Sequence, residues 1–131
     1  MYHHKSHFFR LIETVKTLRG EGGCPWDKRQ TTVSLVKYLQ SEFDELLAAI
    51  NNDDNANLCE ELGDLLFIII LISEINSEEN TFSIENVLEG ITEKLIRRHP
   101  HVFGDKQDLD EEALRRQWQE IKAMEKAKKL I

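Results

Sequence analysis

The run Leu65-Leu66-Phe67-Ile68-Ile69-Ile70-Leu71-Ile72 admits two readings, and the fold class turns on the choice between them. By composition alone, eight apolar residues suit a buried strand as well as a stretch of buried helix. The surroundings favour helix, because no proline or turn cluster interrupts about 20 residues around the run. The spacing predicts a helix from about Ala56 to Ile75. With apolar side chains on every side, such a helix is expected to be buried all round, partly against another subunit. Eight residues fall far short of the roughly 20 needed to span a bilayer.

Outward from this helix the breakers set the organisation. Asn51-Asn52-Asp53-Asp54-Asn55 reads as a turn, since these side chains compete with helical backbone bonds. Before it, Leu35, Val36, Leu39, Phe43, Leu46, Leu47 and Ile50 share one helical face, with Thr31 or Thr32 as the expected cap. Phe8, Leu11, Ile12, Val15 and Leu18 predict a first helix stopped at Gly20, and residues 20–30 read as a loop. A fourth helix starts at Ser83, carries Ile84, Val87, Leu88, Ile91, Leu95 and Ile96, and stops before Pro100. Asp108 with Glu111 resembles a capping box for a fifth, bearing Leu114, Trp118 and Ile121. No strand-like alternation or hairpin signal occurs. The expected fold is all-α, a helical bundle of about five helices in a single domain over residues 1–131.

The formal charge is −7, from 17 basic and 24 acidic residues, which argues against a nucleic-acid polymer as partner. The acids concentrate between Glu42 and Glu89, whereas Lys122, Lys126, Lys128 and Lys129 make the end of the chain basic. That asymmetry suits a carboxylate site serving an anionic substrate. Cys24 and Cys59 form no CxxC pair, and the residues from Met1 to Lys5 contain no apolar signal segment. A soluble, reduced, cytoplasmic chain without a membrane partner is expected.

On a helical wheel with Leu39 at the origin, the apolar stripe of the second helix covers about −40° to +80°. Glu42 falls near ~300° and Glu45 near ~240°, on one edge of the stripe, and Asp44 near ~140°, on the far side. Glu61 and Asp64 are three apart on the next helix, on a face that continues as Ile68, Leu71, Ile72 and Ile75. Two acids therefore point in the direction that becomes core. Neighbouring carboxylates there are costly unless a cation neutralises them. Oxygen ligands without histidine or cysteine favour Mg²⁺, or Mn²⁺ in its place, over zinc. A solvated acidic face is the competing explanation.

The motifs around these acids resemble the MazG family of nucleoside triphosphate pyrophosphohydrolases. Glu42-Phe43-Asp44-Glu45 followed by Glu61-Leu62-Gly63-Asp64 is similar to that family's EExxE, spacer and ExxD. Gly22-Gly23-Cys24-Pro25-Trp26-Asp27-Lys28-Arg29-Gln30-Thr31 looks like its GGCPWDxxQT loop, and Lys94 to Phe103 like its KLxRRHPHVF stretch. Trp118 to Lys122 with Glu125-Lys126 resembles its W..IK..EK tail. The resemblance implies an all-α, Mg²⁺-dependent hydrolase converting NTP and water to NMP and pyrophosphate. It further implies a four-helix core completed by dimerisation, in a homodimer or higher homo-oligomer. Glu42, Glu45, Glu61 and Asp64 carry over as metal ligands and catalytic residues.

Ser41 departs from the pattern, standing where the family has the first Glu of EExxE. A hydroxyl is a weak metal ligand and no base near neutral pH, so the number of metals and the base stay open. Glu60 is a conceivable substitute, and Asp44 a less well placed one. A catalytically weak nucleotide-binding or oligomerisation module is the alternative that Ser41 raises. An acidic partner-binding bundle is a third.

Lys94, Arg97 and Arg98 can present three cations on one helix face to a polyphosphate, or end the helix as a solvated basic turn. Trp118 and Lys122 can stack a base and hold a phosphate, or be a core tryptophan beside a snorkelling lysine. Trp26 reads as an anchor for its loop, with Lys28 beside it the better candidate for phosphate. The six expected substrate-binding residues are therefore Lys28, Lys94, Arg97, Arg98, Trp118 and Lys122. His99 and His101 flank Pro100 and suit bracing the turn more than zinc.

Overall fold

The computed structural model describes residues 6–129, which are helical with no strand among them. The reading of residues 1–5 lies outside that range. Five long helices stand where the periodicity places them: α1 (His7–Arg19), α3 (Val36–Asn51), α4 (Asn55–Glu78), α5 (Ile84–Arg98) and α7 (Glu111–Lys128). Two short ones, α2 (Pro25–Arg29) and α6 (Pro100–Phe103), are additions. Each begins at a proline, whose fixed φ and missing N–H suit the first helical position. Residues 20–30, expected as a loop, thus contain a helical turn.

Two caps differ from expectation. Thr31 does not cap α3; its Oγ1 accepts from the Ser34 N–H while Ser34 Oγ accepts from the Thr31 N–H, closing a separate turn. The helix therefore starts at Val36. Ahead of α7 the cap is Asp110, accepting from the Ala113 N–H at 2.8 Å, rather than Asp108. Two aspartates two residues apart offer the same chemistry, and the shift of frame is settled by where the helix begins. Gly20 ends α1 as expected, its N–H reaching Thr17 O.

The helices fall into two compact units, one ending at Ile84 and the other starting at Glu85. In the first, α4 is the central element, with α3 and α1 packed against it and α2 against α1. Val15, Leu35, Ile70 and Leu71 are fully buried, with Ile12, Ile68, Ile75 and Ile84 beside them. Burial of each such side chain contributes about 1.5–3 kcal/mol. The helical reading of the apolar run holds, but its burial is one-sided: Leu62 and Ile69 remain exposed.

One arginine ties the unit together. Arg19 grips the Glu78 carboxylate with Nε and Nη2, at 2.9 and 2.7 Å. Its Nη1 donates to the carbonyls of Asp27 and Gln30, so α1, α2 and α4 share one fork. The preceding loop is tight: Gly22 sits at φ +76°, and a Cβ on Gly23 would lie 2.2 Å from Leu18 O. Those contacts explain the paired glycines before Cys24.

In the second unit α5 and α7 meet around Glu125, whose side chain is fully buried. Arg97 Nε reaches its Oε2 at 2.6 Å and Arg98 Nη2 its Oε1 at 2.7 Å. Glu125 follows Leu114, Trp118 and Ile121 at helical spacing, so the face that carries the apolar residues also carries the acid.

Candidate metal centre

The four acids expected to act together do converge. Glu42 and Glu45 lie one turn apart on α3, and Glu61 and Asp64 one turn apart on α4, the helix packed against it. One carboxylate oxygen from each falls within 4.8 Å of all the others. The i, i+3 spacing aligns each pair along its helix, and helix packing brings the pairs face to face.

The electrostatics are those of crowded, partly desolvated anions. Glu61 is only 6% exposed. Burial, then hydrogen bonding and charge repulsion from Glu45, then Asp64, push its carboxyl up to about 7. Burial also raises Glu42, with Glu45 and Asp64 adding to the effect. Moreover, Glu42 Oε2 is buried and has no hydrogen-bond partner. A buried carboxylate oxygen left unpaired beside three further carboxylates is a poor arrangement for the protein alone. It fits a hard divalent cation, which takes oxygen ligands and removes the repulsion.

The remaining expected residues have distinct surroundings. Glu60 is exposed and stands outside the cluster. Asp44 and Ser41 line a shallow, open cavity of about 440 Å³ on the exposed face of α3, together with Lys37, Gln40, Glu45 and Ala48. Trp26 packs on the core and meets Tyr38 edge-on at 5.2 Å, as an anchor would, leaving Lys28 exposed next to it.

In the second unit, Trp118 is 45% exposed, so it is no core tryptophan, and Lys122 lies over its ring at 4.5 Å. Arg97 and Arg98 are both committed to Glu125, whereas Lys94 makes no ion pair among the described residues. The role of Glu125 was not foreseen from sequence. Its signal was an acid on the inward face of an otherwise basic helix end. The two arginines hold its carboxyl down at about 2.

The molecule is therefore an all-α protein in which two packed helices share a carboxylate centre. The family model for the MazG nucleotide pyrophosphohydrolase domain matches residues 30–103, and the chain belongs to that family. It is 45% identical over 126 residues to YabN, an uncharacterized protein of Bacillus subtilis, covering 96% of this chain and 25% of that protein. A nucleoside triphosphate pyrophosphohydrolase/pyrophosphatase MazG of Thermotoga maritima is 43% identical over 93% of this chain and 46% of its own length. The Escherichia coli K12 nucleoside triphosphate pyrophosphohydrolase is 40% identical over 92% and 46%. The chain thus spans a quarter to just under half of these relatives. A crystal structure of a mazG-related protein from Thermotoga maritima superposes with a TM-score of 0.76 at 29% identity, covering 88% of this chain and 98% of that one.

Proposed function

We propose that this chain hydrolyses nucleoside triphosphates, NTP or dNTP, to nucleoside monophosphate and pyrophosphate, limiting or cleaning nucleotide pools. Glu42, Glu45, Glu61 and Asp64 would hold Mg²⁺, or Mn²⁺ in its place. The observation that carries this reading is the buried, unpartnered Glu42 Oε2 inside a four-carboxylate cluster of a MazG domain. A divalent cation bound there supplies neutralisation of phosphate oxygens and acidification of a water.

The protein's own groups do the rest. The four carboxylates would hold that cation at a fixed place on two rigid helices and so orient the phosphate bound to it, which is the main requirement of phosphoryl chemistry. One carboxylate of the cluster takes the proton of the water that attacks the α-phosphorus, and the bond to the bridging oxygen of pyrophosphate breaks. Lys28, Lys94 and Lys122 make no ion pair among the described residues and are proposed for substrate phosphates, with Trp118 for the base. Arg97 and Arg98 serve that purpose only with the guanidinium edges that Glu125 leaves over.

Two properties go with this reading. A homodimer or higher homo-oligomer, completing a four-helix core, is supported by Val36, Phe43, Leu47 and Ile50, which share one face of α3 and are all exposed. A cytoplasmic location places the enzyme with its substrate; no helix among the described residues is long and apolar enough to cross a membrane. The reaction is tested by phosphorus NMR on a panel of NTPs and dNTPs with Mg²⁺. Pyrophosphate and NMP are expected, and release of orthophosphate alone overturns the assignment.

A further inference from the structure

The carboxylate cluster poses a charge problem for any phosphate substrate. Four ionised acids and one divalent cation leave the site negative, and a nucleoside triphosphate is itself a polyanion. A cation from the protein is needed next to the cluster. Glu45 is the one member of the cluster that also lines the cavity of about 440 Å³ on α3. The other lining residues are Lys37, Gln40, Ser41, Asp44 and Ala48, so Lys37 is the cation of that cavity.

We infer that Lys37 is a substrate-phosphate ligand, acting with Ser41 in the cavity that shares Glu45 with the carboxylate cluster. Lys37, Ser41, Glu45 and Ala48 follow one another at helical spacing, so ammonium, hydroxyl and carboxylate rise along one face of α3. An ammonium, a hydroxyl and the Gln40 carboxamide can donate to phosphate oxygens; the two acids beside them, Asp44 and Glu45, outnumber the ammonium, so a phosphate is accepted only once a divalent cation neutralises Glu45 with the rest of the cluster. Ala48 adds no bulk. The Lys37 ammonium lies 5.2 Å from the Tyr38 ring centroid and makes no ion pair among the described residues, which leaves it available. Ser41 then has a role of its own: a carboxylate at that position would pair with Lys37 one turn away and withdraw it from the substrate.

The inference rests on the pyrophosphohydrolase reading, and the experiment separates the two. The full chain and its Lys37→Met, Lys37→Arg and Ser41→Glu variants are assayed for pyrophosphate release with Mg²⁺. Their affinity for an α,β-methylene nucleoside triphosphate and their melting shift with Mg²⁺ alone are measured in parallel. Lys37→Met is expected to raise KM and weaken analogue binding about tenfold or more, with the Mg²⁺ shift unchanged and most of the affinity restored in Lys37→Arg. Ser41→Glu is expected to raise KM as well. An unchanged KM and analogue affinity in Lys37→Met, or a gain in kcat/KM in Ser41→Glu, overturns the inference. Absence of pyrophosphate release by the wild type overturns the parent reading instead, and analogue binding still decides the role of Lys37.

Discussion

Replacing Glu61 with Gln should have opposite effects on the metal-free and metal-bound protein. Glu61 is 6% exposed and its carboxyl is pushed up to about 7, so ionising it above that pH places a charge in a buried, acidic setting. In EDTA that charge sits against Glu45 and Asp64 with no compensating cation. A neutral amide of the same shape relieves the repulsion, so the variant should melt no lower than wild type, and above it if repulsion dominates. With Mg²⁺ the order reverses. A ligand at 100 times its Kd stabilises the folded state by about 2.7 kcal/mol. A chain of 131 residues unfolding as a whole has an unfolding entropy of about 275 cal/mol/K near its midpoint. The expected gain for wild type is then about 10 °C, and Glu61→Gln should lose most of it. Activity should fall at least about 100-fold, since loss of even an outer-shell partner of a metal costs about 10–100-fold. The assay is differential scanning fluorimetry across a Mg²⁺ titration, with EDTA controls and pyrophosphate release on the same samples. A variant that keeps the full Mg²⁺ shift, or that melts well below wild type in EDTA, refutes the argument that these carboxylates are built around a cation.

Further expectations concern the ion pairs of Arg19 and Glu125. Arg19→Lys keeps the charge but loses the fork that binds Glu78 and the carbonyls of Asp27 and Gln30, and should cost about 2 kcal/mol by urea unfolding; a loss below about 0.5 kcal/mol would show the fork to be ornamental. Glu125 binds its proton less tightly folded, at about 2, than at its ordinary value of 4.5. Its contribution is therefore fully present above pH 4.5 and is lost as pH falls through about 2. A near-UV circular dichroism titration should show tertiary signal lost in that window, and Glu125→Gln should be destabilised at pH 7 and respond less to acid. Equal acid sensitivity of the two proteins would contradict this.

The helices were legible because their apolar residues recur with a period near 3.6 and because prolines, glycines and an Asn/Asp cluster mark the ends. The boundaries were less legible. Thr31 caps a turn instead of α3, and Asp110 caps α7 instead of Asp108, because several residues nearby have equivalent capping chemistry. Likewise Pro100 reads as a breaker and Pro25 falls in a stretch read as loop, although the position before a proline and the position after it have opposite preferences, and each starts a short helix.

At the site, the pairing of Glu42 with Glu45 and of Glu61 with Asp64 is legible without coordinates, since spacing on one helix is local geometry. The family is legible too, through the motifs that flank those pairs. That the two pairs meet within 4.8 Å, and that Glu42 Oε2 is buried without a hydrogen-bond partner, follows from the packing of α3 on α4. Tertiary structure likewise decided that Arg97 and Arg98 are held by Glu125, and that Lys37 and Ser41 line a cavity with Glu45. The physical reason is the same in each case. A helical repeat fixes which residues share a face, whereas the partner facing them is set by packing between distant segments, which no local pattern encodes.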